Sequence, residues 1–288
     1  TLDAACTVGT TDFSYTGQDF GWLVPPRFQV TPRSAGGNLT QNYLSGDFMK
    51  LAAAGFTRTW PLTDQVATLS GGSGLVPLVS SAGPGLIEPR ADGNPIFYRY
   101  SGSDLFRYSK TVGAAITPFT PVLNFGVSSV IDADGVSWSA PATATAPAPS
   151  RFIPASPGEI RYGRLQMENV YGPENVDELL MPFSAEYWNG SRFVTNTDDS
   201  CTPWSTANIT DSQTYHSLVA DSGNLATGIG GPLVLNPNGD RGTDTLIWDM
   251  PLWLEGDWNQ DGALEDPSAT ATFGVFRGND RIVYWRER

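Results

Sequence analysis

Turn-forming residues interrupt this chain too often for it to be helical. Glycine occurs 31 times and proline 22 times in 288 residues. Few segments between them reach the roughly 12 residues over which a helix becomes stable on its own account. What lies between the breaks reads as short strands. In AEYWNGSRFV, Asn189-Gly190 separates two aromatic runs, the strongest local signal for a two-residue hairpin of type I′. In TATFGVFRGNDRIVYW, Phe273 and Val275 alternate before a turn at Gly278-Asn279-Asp280, and Ile282 and Tyr284 alternate after it. TPFTPVLNFGV, IRYGRLQMENV, GPLVLN and DTLIWDM are further strand candidates. Two stretches carry helix signals: Gly46 to Phe56, with Asp47 near its start and Gly55 near its end, and Glu174 to Leu180. The expected class is all-β, built from two immunoglobulin-like or jelly-roll-like β-sandwich units.

A connector divides the chain. Residues 139–150, SAPATATAPAPS, show neither helical nor strand periodicity and suit an extended, polyproline-like segment. The expected organisation is an N-terminal sandwich at 1–138, the Ala/Pro/Thr connector at 139–150, and an acidic C-terminal sandwich at 151–288. Hydrophobic residues make up 40% of the chain and aromatics 11%, enough for packed cores. No apolar run reaches the roughly 18 residues of a transmembrane helix, so no transmembrane segment is expected. The opening TLDAAC has neither Met nor an apolar leader, which suggests a mature chain or an excised piece.

Charge excludes one class of partner. Residues 1–150 hold 8 basic and 10 acidic side chains, a net of −2. Residues 151–288 hold 9 and 20, which gives −11 and accounts for most of the total of −13. Such a surface repels a phosphate backbone, so nucleic acid is not an expected partner.

The segment DWNQDGALED places Asp257, Asn259 and Asp261 at alternate positions ahead of Gly262. This is the opening of a calcium loop, in which short oxygen-bearing side chains converge on one ion and glycine permits the sharp turn. Ala263 would add its backbone carbonyl. Ser268 stands where a bidentate Glu is usual, so Glu265 or Asp266 must close the shell. No amphipathic helices flank the loop, which argues against an EF-hand. The competing reading is an ion-free acidic turn with side chains bonded to their own backbone. A second, smaller cation site is conceivable at Asp132 and Asp134 in VIDADGVSW, although two carboxylates in a turn are usually only a turn.

Cys6 and Cys201 are the only cysteines and His216 the only histidine, too few for a cysteine-based zinc site. Both cysteines sit in polar, turn-like sequence. A disulfide between them, formed in an extracellular or periplasmic setting, is one reading, and two reduced thiols the other. His216 has no G-x-S-x-G partner and reads as a surface or structural residue. No pair of acids stands out as a glycosidase pair, so a secreted glycan hydrolase is the least favoured function. The aromatic pairs Tyr187-Trp188 and Tyr284-Trp285 lie on proposed strands, where neighbours face opposite sides. One member of each pair is expected in the core, leaving a limited basis for a carbohydrate-binding, lectin-like module with glycan partners.

Three segments carry a family resemblance: IRYGRLQMENVYG, MPFSAEYWNGSRFVTNTDDSCT, and DMPLWLEGDWNQDGALEDPSATATFGVFRGNDRIVYWRER. They resemble the uncharacterised domain at the C-terminal end of mannose-sensitive haemagglutinin (MSHA) pilus biogenesis protein Q. FSYTGQDFGWLVPPRFQVTPRSAGGNLTQNYLSGDF resembles the opening of the same domain. The resemblance implies an envelope or surface protein of a Gram-negative bacterium, tied to a type IV pilus, and it supplies no catalytic residues. The lectin-like domain that often precedes this one is not expected among these 288 residues. The expected function is therefore a non-enzymatic, exported structural or adhesive protein. Its expected partners are other protein subunits, which include copies of itself in a polymer.

Overall fold

The computed structural model describes residues 1–8, 11–44, 46–60, 78–88, 96–139 and 152–274. Within them the fold is all-β, as the sequence predicts, with short strands gathered into sheets of two to four. The chain resolves into two compact units, residues 1–163 with 187–193, and residues 164–186 with 194–288.

The first unit is organised by the nine-residue strand Leu123–Ile131. Its inward positions carry Leu123, Phe125 and Val127, all buried. It pairs antiparallel with Phe56–Thr59 on one side, and with Ser137–Ser139 and Phe152–Ala155 along the other. Aromatic rings fill the core. Trp22 meets Phe125 edge-on at 4.6 Å and Phe106 at 5.1 Å, and Phe56 stacks on Tyr98 at 4.1 Å. These geometries are favourable for ring quadrupoles, at about 0.5–1.5 kcal/mol per pair beyond area burial. Two strands that follow the Ala/Pro-rich segment also belong here. Phe152–Ala155 pairs with Leu123–Ile131, and Glu159–Arg161 runs parallel to Thr11–Tyr15. The first unit therefore continues to Gly163, past the connector that the sequence suggests as its end.

The second unit centres on the strand Gly242–Trp248, whose alternate residues Asp244, Leu246 and Trp248 face inward. It pairs antiparallel with Ser268–Phe273 on one side and Ile209–Asp211 on the other, and Val170–Gly172 adds to Ser268–Phe273 in parallel. Trp248 is fully buried, edge-on to Phe183 at 4.7 Å and to Trp204 at 6.3 Å. A single buried aromatic of this kind removes about 150–250 Å² from water.

Three expectations need correction. The stretch at 46–56 is not an α-helix but a pair of three-residue 3₁₀ turns, Gly46–Phe48 and Ala53–Gly55, with Ala52 extended between them. The strand Phe56–Thr59 begins directly afterwards, and its ladder fixes the chain in the extended form. Glu174–Leu180 is likewise no helix; Leu179–Met181 forms a strand paired with Leu233–Pro237. The hairpin at 189–190 is present, joining Phe183–Trp188 to Phe193–Thr195, but its turn is shifted by one residue. Asn189 N–H donates to Arg192 O, and the Asn189 side-chain oxygen accepts from the N–H groups of Ser191 and Arg192. Gly190 has φ +101° while Asn189 keeps a negative φ, so type I′ is excluded. The asparagine acts as a local acceptor rather than as a left-handed residue.

Candidate functional site

The loop from Gly256 to Glu265 is closed at its base by a reciprocal backbone pair, Gly256 N–H to Glu265 O at 3.0 Å and Glu265 N–H to Gly256 O at 2.8 Å. Gln260 and Gly262 adopt positive φ, +61° and +89°, which lets the backbone double back over a short span. The loop is anchored through Trp258, whose ring lies 4.6 Å beneath the Arg164 guanidinium. Arg164 in turn pairs with Glu186 at 2.7 Å.

This folding brings together carboxylate oxygens of Asp257, Asp261 and Glu265, all within 4.8 Å of one another. One oxygen of Glu265 accepts from Trp258 N–H at 2.8 Å. The other, Oε1, is buried without a hydrogen-bond partner, and so is Oδ1 of Asp257. A buried carboxylate oxygen with no donor costs on the order of 1–3 kcal/mol or more. Asp261 accepts from Ala263 N–H at 2.9 Å and from Asn259 Nδ2 at 3.1 Å, and these bonds hold its carboxyl below the usual carboxylate range. Three negative charges and unfilled oxygen lone pairs fit a hard divalent cation such as calcium, which takes oxygen ligands only.

Of the carboxylates in the sequence-derived ligand set, Asp266 alone lies outside the cluster. Asn259 bonds to Asp261 through both ends of its amide. Ala263 contributes its N–H to Asp261. Asp266 turns its Oδ1 to Met250 N–H at 3.0 Å, outside the cluster. Asp132 and Asp134 form no such cluster. Asp132 Oδ1 accepts from the turn N–H groups of Asp134 at 3.0 Å and Val136 at 2.8 Å, and its Oδ2 accepts from Tyr43 O–H, so both oxygens are already engaged. The Tyr43 bond is the largest cause holding the Asp132 carboxyl below its usual range.

A second cluster lacks any sequence motif. His216 is not on the surface; it is buried between Asp244 and Asp211. Its Nδ1 lies 2.8 Å from Asp244 Oδ2. Asp244 also accepts from Ser212 Oγ at 2.5 Å, Tyr215 N–H at 2.8 Å and Thr214 N–H at 3.2 Å. Burial pushes the Asp244 carboxyl up, but these donors outweigh it and hold it below the usual range. Ser212 bonds to the acid and not to the imidazole, so the order of contacts needed for serine hydrolysis is not met. The sequence gives no sign of this group, because Asp244 comes from a different strand with no fixed spacing to His216.

Cys6 and Cys201 are disulfide-bonded, as one of the two sequence readings predicts. Tyr187 and Trp188 are both half-buried, the first under the Arg161 guanidinium at 4.7 Å and the second against Phe193 at 5.4 Å. The pair Tyr284-Trp285, and the second arm of its hairpin, lie outside the described residues, as does all of the connector except Ser139.

Residues 1–154 match the family profile described as the third domain of DUF6701, and residues 161–288 match the fourth. No curated protein matches. Among solved structures, a protein of unknown function from Porphyromonas gingivalis W83 shows 9% identity over 76% of this chain and 99% of its own, with a TM-score of 0.21. So loose a superposition decides nothing about fold or function.

Proposed function

The chain belongs to the DUF6701 family, and from that premise we propose that it is a non-enzymatic, exported surface protein, a structural or adhesive component of an MSHA-like type IV pilus or a comparable filament of a Gram-negative bacterium. The observation that carries the proposal is the disulfide of Cys6 and Cys201, a bond that persists in oxidising compartments and is rare in the cytosol. The resemblance to the C-terminal domain of MSHA biogenesis protein Q supplies the pilus. A calcium ion in the cluster of Asp257, Asp261 and Glu265 completes the design, bracing a surface loop in the calcium-rich outside of the cell. The partners are other protein subunits.

Two measurements test this reading. Protease treatment of intact cells should remove the chain, and protection until the envelope is broken would refute surface exposure. Thermal unfolding of the purified chain should shift upward with calcium and fall with EGTA, because a ligand that binds only the folded state stabilises it by about 2.7 kcal/mol at a hundred times Kd. Asp257→Asn should abolish most of that shift. An unchanged midpoint in the wild type, with no calcium retained on dialysis, would remove the ion.

A further inference from the structure

The group around His216 is left unused by that function, and it offers different chemistry. Its ionised neighbour Asp244, held by four donors, fixes Nδ1 as the protonated ring nitrogen. A neutral imidazole then presents a lone pair at Nε2. That atom is buried with no hydrogen-bond partner, in a residue only 3% exposed. Asp211 Oδ2 lies 2.9 Å away and is equally buried and unbonded. The two are close, yet no hydrogen bond joins them, so Oδ2 does not lie on the axis along which an Nε2–H would donate. The other oxygen of Asp211 accepts from Gln213 N–H at 3.0 Å, which fixes the carboxylate in place.

A nitrogen and an oxygen 2.9 Å apart, with the oxygen off the axis of the ring nitrogen, match two ligands of one ion. Ligands at about 2.0–2.2 Å from a metal lie this far apart at roughly a right angle, as in five- or six-coordination, and only about half an ångström further apart at the tetrahedral angle. A carboxylate on the far ring nitrogen is the usual orienting partner of a metal-bound histidine. We propose that Asp211 Oδ2 and His216 Nε2 are two protein ligands of a site for a first-row divalent transition ion of the zinc class, with Asp244 as the positioning residue behind the imidazole. Imidazole with carboxylate and no thiolate is a donor set that suits such ions, whereas the all-oxygen cluster at 257–265 suits a harder one. Water or a side chain of a bound partner fills the remaining positions.

The test uses the untagged full chain, stripped with EDTA and kept in saturating calcium so that the acidic loop does not compete. Zn²⁺ is titrated by calorimetry, and the ring nitrogens of the single histidine are followed by ¹⁵N NMR. One ion per chain is expected, with the Nε2 resonance moving to a metal-bound position while Nδ1 stays protonated. Asp211→Asn retains the side-chain size and the oxygen facing Gln213, and should weaken Zn²⁺ at least about tenfold; Asp244→Asn should weaken it about 10–100-fold and disturb the tautomer signature. Three results would each overturn the site: no stoichiometric Zn²⁺ binding, wild-type Zn²⁺ affinity in both variants, or a wild-type Nε2–H resonance unmoved by Zn²⁺. The last would identify a buried imidazolium between two carboxylates, and it needs no variant to fold.

Discussion

Asp104 and Asp19 each pair with an arginine, and burial decides what each pair is worth. Asp104 is fully buried and accepts from Arg58 Nη1 at 2.9 Å and Ala82 N–H at 3.0 Å. Arg58 is itself nearly buried, and also meets Ser81, Gly83 O and the face of Trp60. Asp104→Ala strands that guanidinium without its counter-charge, a loss of about 3–5 kcal/mol. Asp19 meets Arg107 at 2.8 Å through both oxygens, but both side chains are about 40% exposed, and Asp19→Ala should cost under about 1 kcal/mol. Urea unfolding of the two variants should separate them clearly, and equal losses would show that burial does not govern these pairs. Titration adds a second residue-level expectation. Because the Tyr43 bond depresses the Asp132 carboxyl, that bond stabilises the fold above the ordinary value of 3.8 and its contribution is lost as pH falls through the lower folded value. Tyr43→Phe should therefore destabilise the chain at pH 7 and match the wild type in strong acid; a constant difference at both pH values would contradict the assignment.

At the scale of elements, strands whose partners are near in sequence are readable and those with distant partners are not. The alternation in DTLIWDM and TATF announces the strands Gly242–Trp248 and Ser268–Phe273, since inward side chains recur every second residue. Nothing local announces that Glu159–Arg161 runs parallel to Thr11–Tyr15, because parallel pairing requires a distant segment and leaves no turn signature. The helix signal at 46–56 fails because Phe56–Thr59 is held in a ladder with Leu123–Ile131, a contact no local propensity encodes. The acidic loop is legible because its donors share one short segment, while the Asp211, His216 and Asp244 group is invisible because three strands build it. The hairpin at 189–192 offers a discriminating substitution. In a type I′ turn Asn189→Gly would be tolerated, since glycine also accepts positive φ. With Asn189 serving as acceptor for Ser191 and Arg192, the same change should cost about 1 kcal/mol, and Asn189→Asp, which keeps the oxygen, should cost less. Denaturant midpoints in the opposite order would restore the type I′ turn.

For the whole molecule, the disulfide and the calcium site proposed at the acidic loop would act on different states. The bond between Cys6 and Cys201 closes a loop of nearly two hundred residues and so restricts mainly the unfolded chain. An ion on Asp257, Asp261 and Glu265 instead lowers the free energy of the folded chain. The two contributions should therefore be close to additive, since no residue takes part in both. Replacing both cysteines with serine should lower stability by about 2–5 kcal/mol whether calcium is present or not. EGTA should produce the same shift in the oxidised and the cysteine-free chain. Unfolding curves measured for all four combinations check this directly. An EGTA effect that vanishes without the disulfide would mean that the crosslink holds the acidic loop in its binding geometry, and the two would then have to be treated as a single coupled device.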